Sequence, residues 1–372
     1  VAVNNHSEDA LMSSSVRDKK TLIIAAGGTG GHIYPALAVA DCLKKKGIDI
    51  LWIGVRHRME ERIVPKYFPI HYIDMRPLRG RSLKEMLINP FYFLKAIFQA
   101  RTLLKDFQAQ AVLTMGGFVC APVGIAAKRL KIPLIVHEQN AIAGWTNELL
   151  ARFANEVLEA FAHSFKGRGA RLAKCVGNPL RADFLTLTKL RVLPTLPLKI
   201  LVIGGSQGAH YLNTVVCQAL KSLLADQLIQ VWHQSGVKDE ALVKELYGHW
   251  GPELRVVPFL DPILQAYEWA DLIVSRSGAL SVSEIASLGK PSILVPFPGA
   301  VGDHQRYNAN FLVRVGGAML LDQNTASEQD WVECILKLIR DPQRLVEMGD
   351  NALKLSHIDA AEKVAKICES YV

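Results

Sequence analysis

The same local pattern occurs twice in this chain, 177 positions apart: an apolar run, a glycine-rich loop, and the start of a helix. The first copy is 21–26 followed by Gly27-Gly28-Thr29-Gly30-Gly31-His32, the second 199–203 followed by Gly204-Gly205-Ser206-Gln207-Gly208. A buried strand that runs into a glycine turn and a helix is the opening unit of a parallel, doubly wound sheet. Its glycines let a ligand approach the backbone, and its helix start offers free N–H groups. Two such units predict an α/β chain of two facing Rossmann-like domains with parallel sheets and a cleft between them. With 372 residues, 50% of them apolar, the chain has material for two cores.

Neither loop carries a familiar cofactor signature. A dinucleotide fingerprint needs glycine at position 33, which is Ile33, and an acid at the end of the second strand (51–55), where Gly54 stands. A Walker A loop needs a Lys-Ser/Thr pair that is missing, so NAD and ATP are poor fits. Gly204 to Gly208 also matches G-x-S-x-G, the elbow of serine hydrolases, which makes Ser206 a rival nucleophile. The nearly identical first loop, with threonine in place of serine, favours a phosphate cradle used twice. Pro35 predicts the first turn of a helix running to residue 46 and closed by Gly47.

The stretch 271–309 reads as half of a nucleotide site: a strand at 272–274, a turn at Ser277-Gly278, a helix ending at Gly289, and a strand at 292–295. Glu284 has two readings here. Ser281-Val282-Ser283-Glu284 fits an S-x-x-E capping box, in which the carboxylate serves only its own helix. It also fits an acid that accepts two hydrogen bonds from a ribose diol.

Strands at 111–115 and 132–136 end in Gly116-Gly117-Phe118 and His137-Glu138-Gln139-Asn140, and further strands are expected at 231–234 and 255–257. Polar groups at the carboxyl ends of successive strands converge on one cleft, which groups His137, Glu138 and Asn140 with His32. The joint falls at Val176-Gly177-Asn178-Pro179-Leu180-Arg181. The expected domains are 21–180, preceded by a polar, disordered lead-in at 1–20 with no signal peptide, and 181–356, with 357–372 packing back on the first.

Charge separates the halves. Residues 1–180 carry 25 Lys+Arg against 14 Asp+Glu, whereas 181–372 carry 18 against 21. The anionic partner therefore meets the first half. No helix combines dense basic residues with base-reading side chains, which argues against nucleic acid. In 78–98, aromatic and aliphatic residues alternate with Arg79, Arg81, Lys84 and Lys95, and Pro90 interrupts the helical pattern. That composition predicts a patch resting on an anionic membrane surface. The uncharged run 111–127 contains Gly116-Gly117 and Pro122 and reads as strand, turn and short helix rather than a membrane span. Six scattered cysteines without C-x-x-C suggest reduced thiols, and neither H-E-x-x-H nor D-x-D is present, so no metal is expected.

The strings Gly-Gly-Thr-Gly-Gly-His (27–32), His-Glu-Gln-Asn (137–140), Gly-Asn-Pro-Leu-Arg (177–181), Gly-Gly-Ser-Gln-Gly-Ala (204–209) and Ser-Arg-Ser-Gly-Ala-Leu-Ser-Val-Ser-Glu (275–284) resemble glycosyltransferase family 28, of GT-B architecture, over about 20–370. The resemblance implies an inverting transferase without a cofactor, peripheral to the cytoplasmic face of the bacterial inner membrane. It would move N-acetylglucosamine from UDP-N-acetylglucosamine to the C4 hydroxyl of undecaprenyl-diphosphate-linked muramyl-pentapeptide, lipid I to lipid II. It further implies donor contacts from Thr29, Gly30, Gly31, Asn140, Arg181, Ser206, Leu260, Ala279, Leu280, Ser281, Val282, Ser283, Glu284 and Gln305, and it favours the ribose role of Glu284. For the base that accepts the C4 proton, His32 leads, with Glu138 and His137 behind it. The family usually has Gln-Gln where this chain has Gln305-Arg306. A UDP-N-acetylglucosamine 2-epimerase and the Ser206 hydrolase are the competing readings.

Overall fold

The structure, a computed structural model, describes residues 20–75, 83–185, 193–204 and 209–372, without the side chains of 83–89, 168, 185 and 301. The lead-in before residue 20, the beginning of the basic-aromatic stretch, and Ser206 with its neighbours 205–208 lie outside the described residues.

Two parallel sheets carry the fold. The first has strands β1 (Thr21–Ala25), β2 (Asp49–Gly54), β3 (Ile70–Tyr72), β4 (Ala111–Thr114), β5 (Leu134–Glu138), β6 (Glu156–Glu159) and β7 (Ala173–Cys175) in the order β3-β2-β1-β4-β5-β6-β7. The second has β8 (Leu198–Ile203), β9 (Ile229–Gln234), β10 (Leu254–Val257), β11 (Leu272–Ser275), β12 (Ser292–Leu294) and β13 (Ala318–Leu320) in the order β10-β9-β8-β11-β12-β13. Every pairing is parallel, with Ala25 beside both Ile53 and Thr114, and Ile203 beside both Gln234 and Ser275. In each sheet the chain reverses its direction of growth at the first strand, between β2 and β4 and again between β9 and β11. Ligands of such sheets bind in the crevice at that point, beyond the carboxyl ends.

Helices cover both faces of each sheet, which is why the strands are apolar at consecutive positions instead of alternating with polar residues. Leu22 and Ile24 pack toward the helix Gly30–Lys45, while Ile23 and Ala25 pack toward the helices Leu83–Asp106 and Cys120–Leu130. Ile200 and Val202 face the helices Cys217–Ala225 and Glu328–Arg340, and Leu201 and Ile203 face Ala279–Leu288. The last helix, Ala360–Glu369, lies on the helix Gly30–Lys45, where Val364, Ala365 and Cys368 complete the core of the first sheet. Tyr371 adds a hydrogen bond to Glu156 at 3.1 Å.

Two local expectations are corrected. The first helix starts at Gly30, so Pro35 sits in its second turn, not its first. Pro90 does not interrupt the helix that contains it, which runs unbroken through Leu83–Asp106. Among the described residues no helix is long and apolar enough to cross a membrane. In the part of that helix with described side chains, Phe91, Leu94 and Phe98 are 76%, 49% and 60% exposed and share one face, while Ala96, Ile97 and Ala100 are buried. The 111–127 run is β4, a glycine turn and a helix.

Candidate active site

Beyond β11 the chain turns at Ser277 and enters the helix Ala279–Leu288 with Gly278 as the N-cap in extended conformation. Gly278 has no side chain to cap with, so the first-turn amides at Ala279, Leu280 and Ser281 have no partner within their own helix. Because the cap is Gly278, Ser281 and Glu284 lie inside the helix and form no capping box, which removes the bland role for Glu284. The Glu284 carboxyl is 7% exposed and accepts a 3.0 Å hydrogen bond from the Tyr267 hydroxyl. Burial pushes its pKa up from 4.5 to about 7, against the Tyr267 hydrogen bond and the nearby Arg181 charge, which pull it down. Val282 is buried, and the Ser283 hydroxyl donates back to the Ala279 carbonyl at 2.9 Å.

The first half presents a different surface. Thr29 is the N-cap of the helix Gly30–Lys45, exposed and without a capping bond from its hydroxyl, so the amides of Gly30 and Gly31 form an open helix start. His32 is half-buried on that first turn, and its Nδ1 lies 2.9 Å from the Gly27 carbonyl. A carbonyl only accepts, so Nδ1 carries the hydrogen and in the neutral ring Nε2 keeps its lone pair. Gly116, at φ 92, stands against the ring where a Cβ would come within 2.7 Å of its Cδ2. One amide of the loop already has a protein partner. Glu60, from the short helix Met59–Ile63, reaches behind it and accepts the Gly28 N–H at 3.0 Å and the Val55 N–H at 3.3 Å.

The other two base candidates are built into the scaffold. Glu138 is 2% exposed and accepts from Asn140 N and Nδ2, Gly144 N and Asn147 Nδ2 at 2.8–3.0 Å, which fixes the loop after β5. His137 is fully buried, bonded to the Gly177 carbonyl at 3.0 Å, and burial drives its pKa down to about 4. Both ring nitrogens of His137 are engaged, Nδ1 by Gln139 at 3.2 Å, and Glu138 is taken up by its four donors, whereas among the described residues no hydrogen-bond partner is found for Nε2 of His32.

The halves meet here through groups that the sequence does not announce. Asn308, buried on the helix His304–Val313, accepts the Ala141 N–H at 2.8 Å and donates to the Asn140 side chain at 3.3 Å and to the Ser277 carbonyl at 3.2 Å. It pins the loop after β5 to the turn before the helix Ala279–Leu288. The Arg181 guanidinium lies 5.8 Å over the Tyr34 ring and 5.3 Å over the Phe184 ring, between the two helix starts. Leu260 is packed into the apolar cluster shared by Phe161, Leu180 and Ile203. Gln305 accepts the Phe297 N–H at 2.9 Å, while Arg306 is held by Asp303 at 3.2 Å and by Asp322. Glu60, Asn308 and Tyr267 were not singled out from sequence. Glu60 follows Arg58-Met59 after β2, and nothing in that string says that its carboxylate turns back under the first loop.

Both halves match known protein families. The Glycosyltransferase family 28 N-terminal domain matches residues 22–159 and the C-terminal domain of the same family matches 199–365. Over 355 residues the chain is 43% identical to the UDP-N-acetylglucosamine--N-acetylmuramyl-(pentapeptide) pyrophosphoryl-undecaprenol N-acetylglucosamine transferase of Shewanella loihica, covering 94% of this chain and 96% of that one. It is 44% identical over 354 residues to the protein of that name from Pseudoalteromonas translucida, covering 94% and 98%. The crystal structure of Acinetobacter baumannii MurG superposes with a TM-score of 0.81 at 35% identity, over 94% of this chain and 99% of that one. A UDP-GlcNAc 2-epimerase from Neisseria meningitidis reaches a TM-score of 0.67 at 14% identity, a likeness of fold alone. With two facing parallel sheets of GT-B architecture and relatives matched along nearly its whole length, this chain belongs to glycosyltransferase family 28.

Proposed function

We propose that the chain transfers N-acetylglucosamine from UDP-N-acetylglucosamine to the C4 hydroxyl of undecaprenyl-diphosphate-linked N-acetylmuramyl-pentapeptide, the step that completes the lipid-linked precursor of peptidoglycan. The observation that carries this reading is the near-full-length identity, across both halves, to transferases bearing that name. In the second half, Glu284 accepts the two ribose hydroxyls, and the amides at Ala279 and Leu280 face the diphosphate at the positive end of their helix. Arg181 adds charge where the leaving group develops it, and Ser206 is a further donor contact that the family membership suggests. Leu260, Ser281, Val282 and Ser283 line the uridine side, while Gln305 and Asn140 address the sugar. Thr29, Gly30 and Gly31 meet the donor from across the cleft.

The donor is α-linked and the product β-linked, so one in-line displacement inverts the anomeric carbon. The acceptor hydroxyl loses its proton to Nε2 of His32 as it attacks, and UDP leaves toward the helix start. His137 and Glu138 hold the loop after β5 and take no proton. Membrane attachment is supported by the exposed Phe91, Leu94 and Phe98 on a helix of the basic half, and in this reading the enzyme is a peripheral protein of the cytoplasmic face of the bacterial inner membrane. The test is transfer of radiolabel from UDP-N-acetylglucosamine to a lipid I analogue, with His32→Ala and Glu284→Ala as controls. A folded wild-type protein that transfers no label to a competent acceptor overturns the proposal.

A further inference from the structure

The peptide unit joining Gly27 to Gly28 is engaged on both sides. Its C=O accepts Nδ1–H of His32 at 2.9 Å, and its N–H donates to Oε2 of Glu60 at 3.0 Å. A trans peptide points these two groups in opposite directions, so a carboxylate and an imidazole sit on opposite sides of one planar amide. Glu60 is 1% exposed, and both of its oxygens act as acceptors, the second from Val55 N–H at 3.3 Å. Space for it is reserved: a Cβ on Gly27 would lie 2.5 Å from its Oε1, and one on Gly54 would lie 2.9 Å from its Cγ. The carbonyl side is as tight, because a Cβ on Gly117 would lie 2.4 Å from Gly27 O.

We propose that Glu60 is a positioning residue that sets the tautomer of His32 through the Gly27-Gly28 peptide. This rests on the reading of His32 as the base and adds to it the group that prepares it. A negative charge hydrogen-bonded to the N–H side polarises the amide and makes its carbonyl a stronger acceptor, an effect preserved by the low dielectric around a buried group. The stronger acceptor holds the hydrogen on Nδ1, so the lone pair is on Nε2 before the acceptor arrives. When the C4 hydroxyl proton moves to Nε2, the same polarised carbonyl stabilises the positive ring. The Nδ1 proton stays in place throughout, and the intervening amide prevents Glu60 from taking a proton itself. Glu60 also fills the crevice of the first half at the second strand, where a dinucleotide fold keeps its ribose-binding acid. Recognition of the ribose is thereby left to Glu284 in the second half.

The test is nitrogen NMR of protein with isotope-labelled histidines, the His32 signals being assigned by comparison with His32→Gln. Wild-type protein is expected to show Nδ1 protonated and Nε2 bare. Glu60→Gln keeps the shape and one acceptor but removes the charge. It is expected to move His32 toward the Nε2–H tautomer and to lower kcat roughly 10-fold, in the range for loss of an outer partner, with KM for UDP-N-acetylglucosamine unchanged. An Nε2–H tautomer in the wild-type protein overturns the proposal, and so does a folded Glu60→Gln protein with unmoved His32 signals. Should that variant not fold, the wild-type tautomer alone decides. If His32→Gln transfers sugar at the wild-type rate, the base assignment falls, while the spectrum of Glu60→Gln still decides whether Glu60 sets the tautomer.

Discussion

At the scale of single residues, the proposed ribose role of the buried Glu284 carboxyl predicts that donor binding depends on pH. Its folded pKa is raised from 4.5 to about 7 by burial, so on raising the pH the unfolded chain releases this proton first. The stability of the unliganded protein therefore falls between about pH 4.5 and 7, and the loss is complete above 7. Thermal unfolding across that range is expected to show the slope in wild-type protein and to lack its contribution in Glu284→Gln. A diol donates to the ionised carboxylate, so affinity for UDP-N-acetylglucosamine weakens as the pH falls below 7, by at most about tenfold per unit. Calorimetric titration of wild type and Glu284→Gln at several pH values checks this. Asn308→Ala removes three hydrogen bonds, two of which join the halves, and leaves the Ala141 N–H unpaired. It is expected to cost about 1–3 kcal/mol of stability in denaturant unfolding and to raise KM for the donor. Glu284 was visible as an acid on a helix start, but its S-x-x-E spacing also suggested a cap. Only the position of Gly278, three residues before Ser281, separates the two readings.

At the scale of elements, the long central strands were legible because burial on both faces writes them as unbroken apolar runs. The short strands β3, β6, β7 and β13 were not. Three of them, β3, β7 and β13, are edge strands and β6 lies next to one, and strings such as Glu156–Glu159 and Ala173–Cys175 carry too few apolar residues to stand out. The first glycine loop was legible as a loop, but the carboxylate that accepts its Gly28 N–H was not, because Glu60 arrives from Met59–Ile63 and no spacing rule connects them. Gly117→Ala should disable that loop. Its φ of 92 is unfavourable for alanine and the new methyl would strike the Gly27 carbonyl, so the variant is expected to lose transfer activity when assayed with the lipid acceptor. The helix Leu83–Asp106 gives an independent check on membrane attachment. Replacing both Phe91 and Phe98 by serine is expected to weaken binding to anionic vesicles about tenfold or more, each exposed ring being worth roughly 1.5–3 kcal/mol when buried, without changing affinity for UDP-N-acetylglucosamine.

At the scale of the whole molecule, the chain passes between the halves twice. It leaves the first sheet after β7 and returns after the helix Pro342–Leu353 to lay Ala360–Glu369 on the first half. The two passages touch: a Cβ on Gly177 would lie 2.1 Å from that of His357. Removing residues 357–372 is expected to expose the apolar face under Val364 and Cys368 and to lower the melting temperature of the protein by several degrees. Affinity for UDP-N-acetylglucosamine, measured by calorimetry, should survive because Glu284 and its helix stand on the other sheet. With both covalent connections running side by side through one spot, the two halves share a single pivot. A protease that severs either connection leaves the halves covalently joined by the other, and after a double cut only noncovalent contacts such as those of Asn308 hold them together.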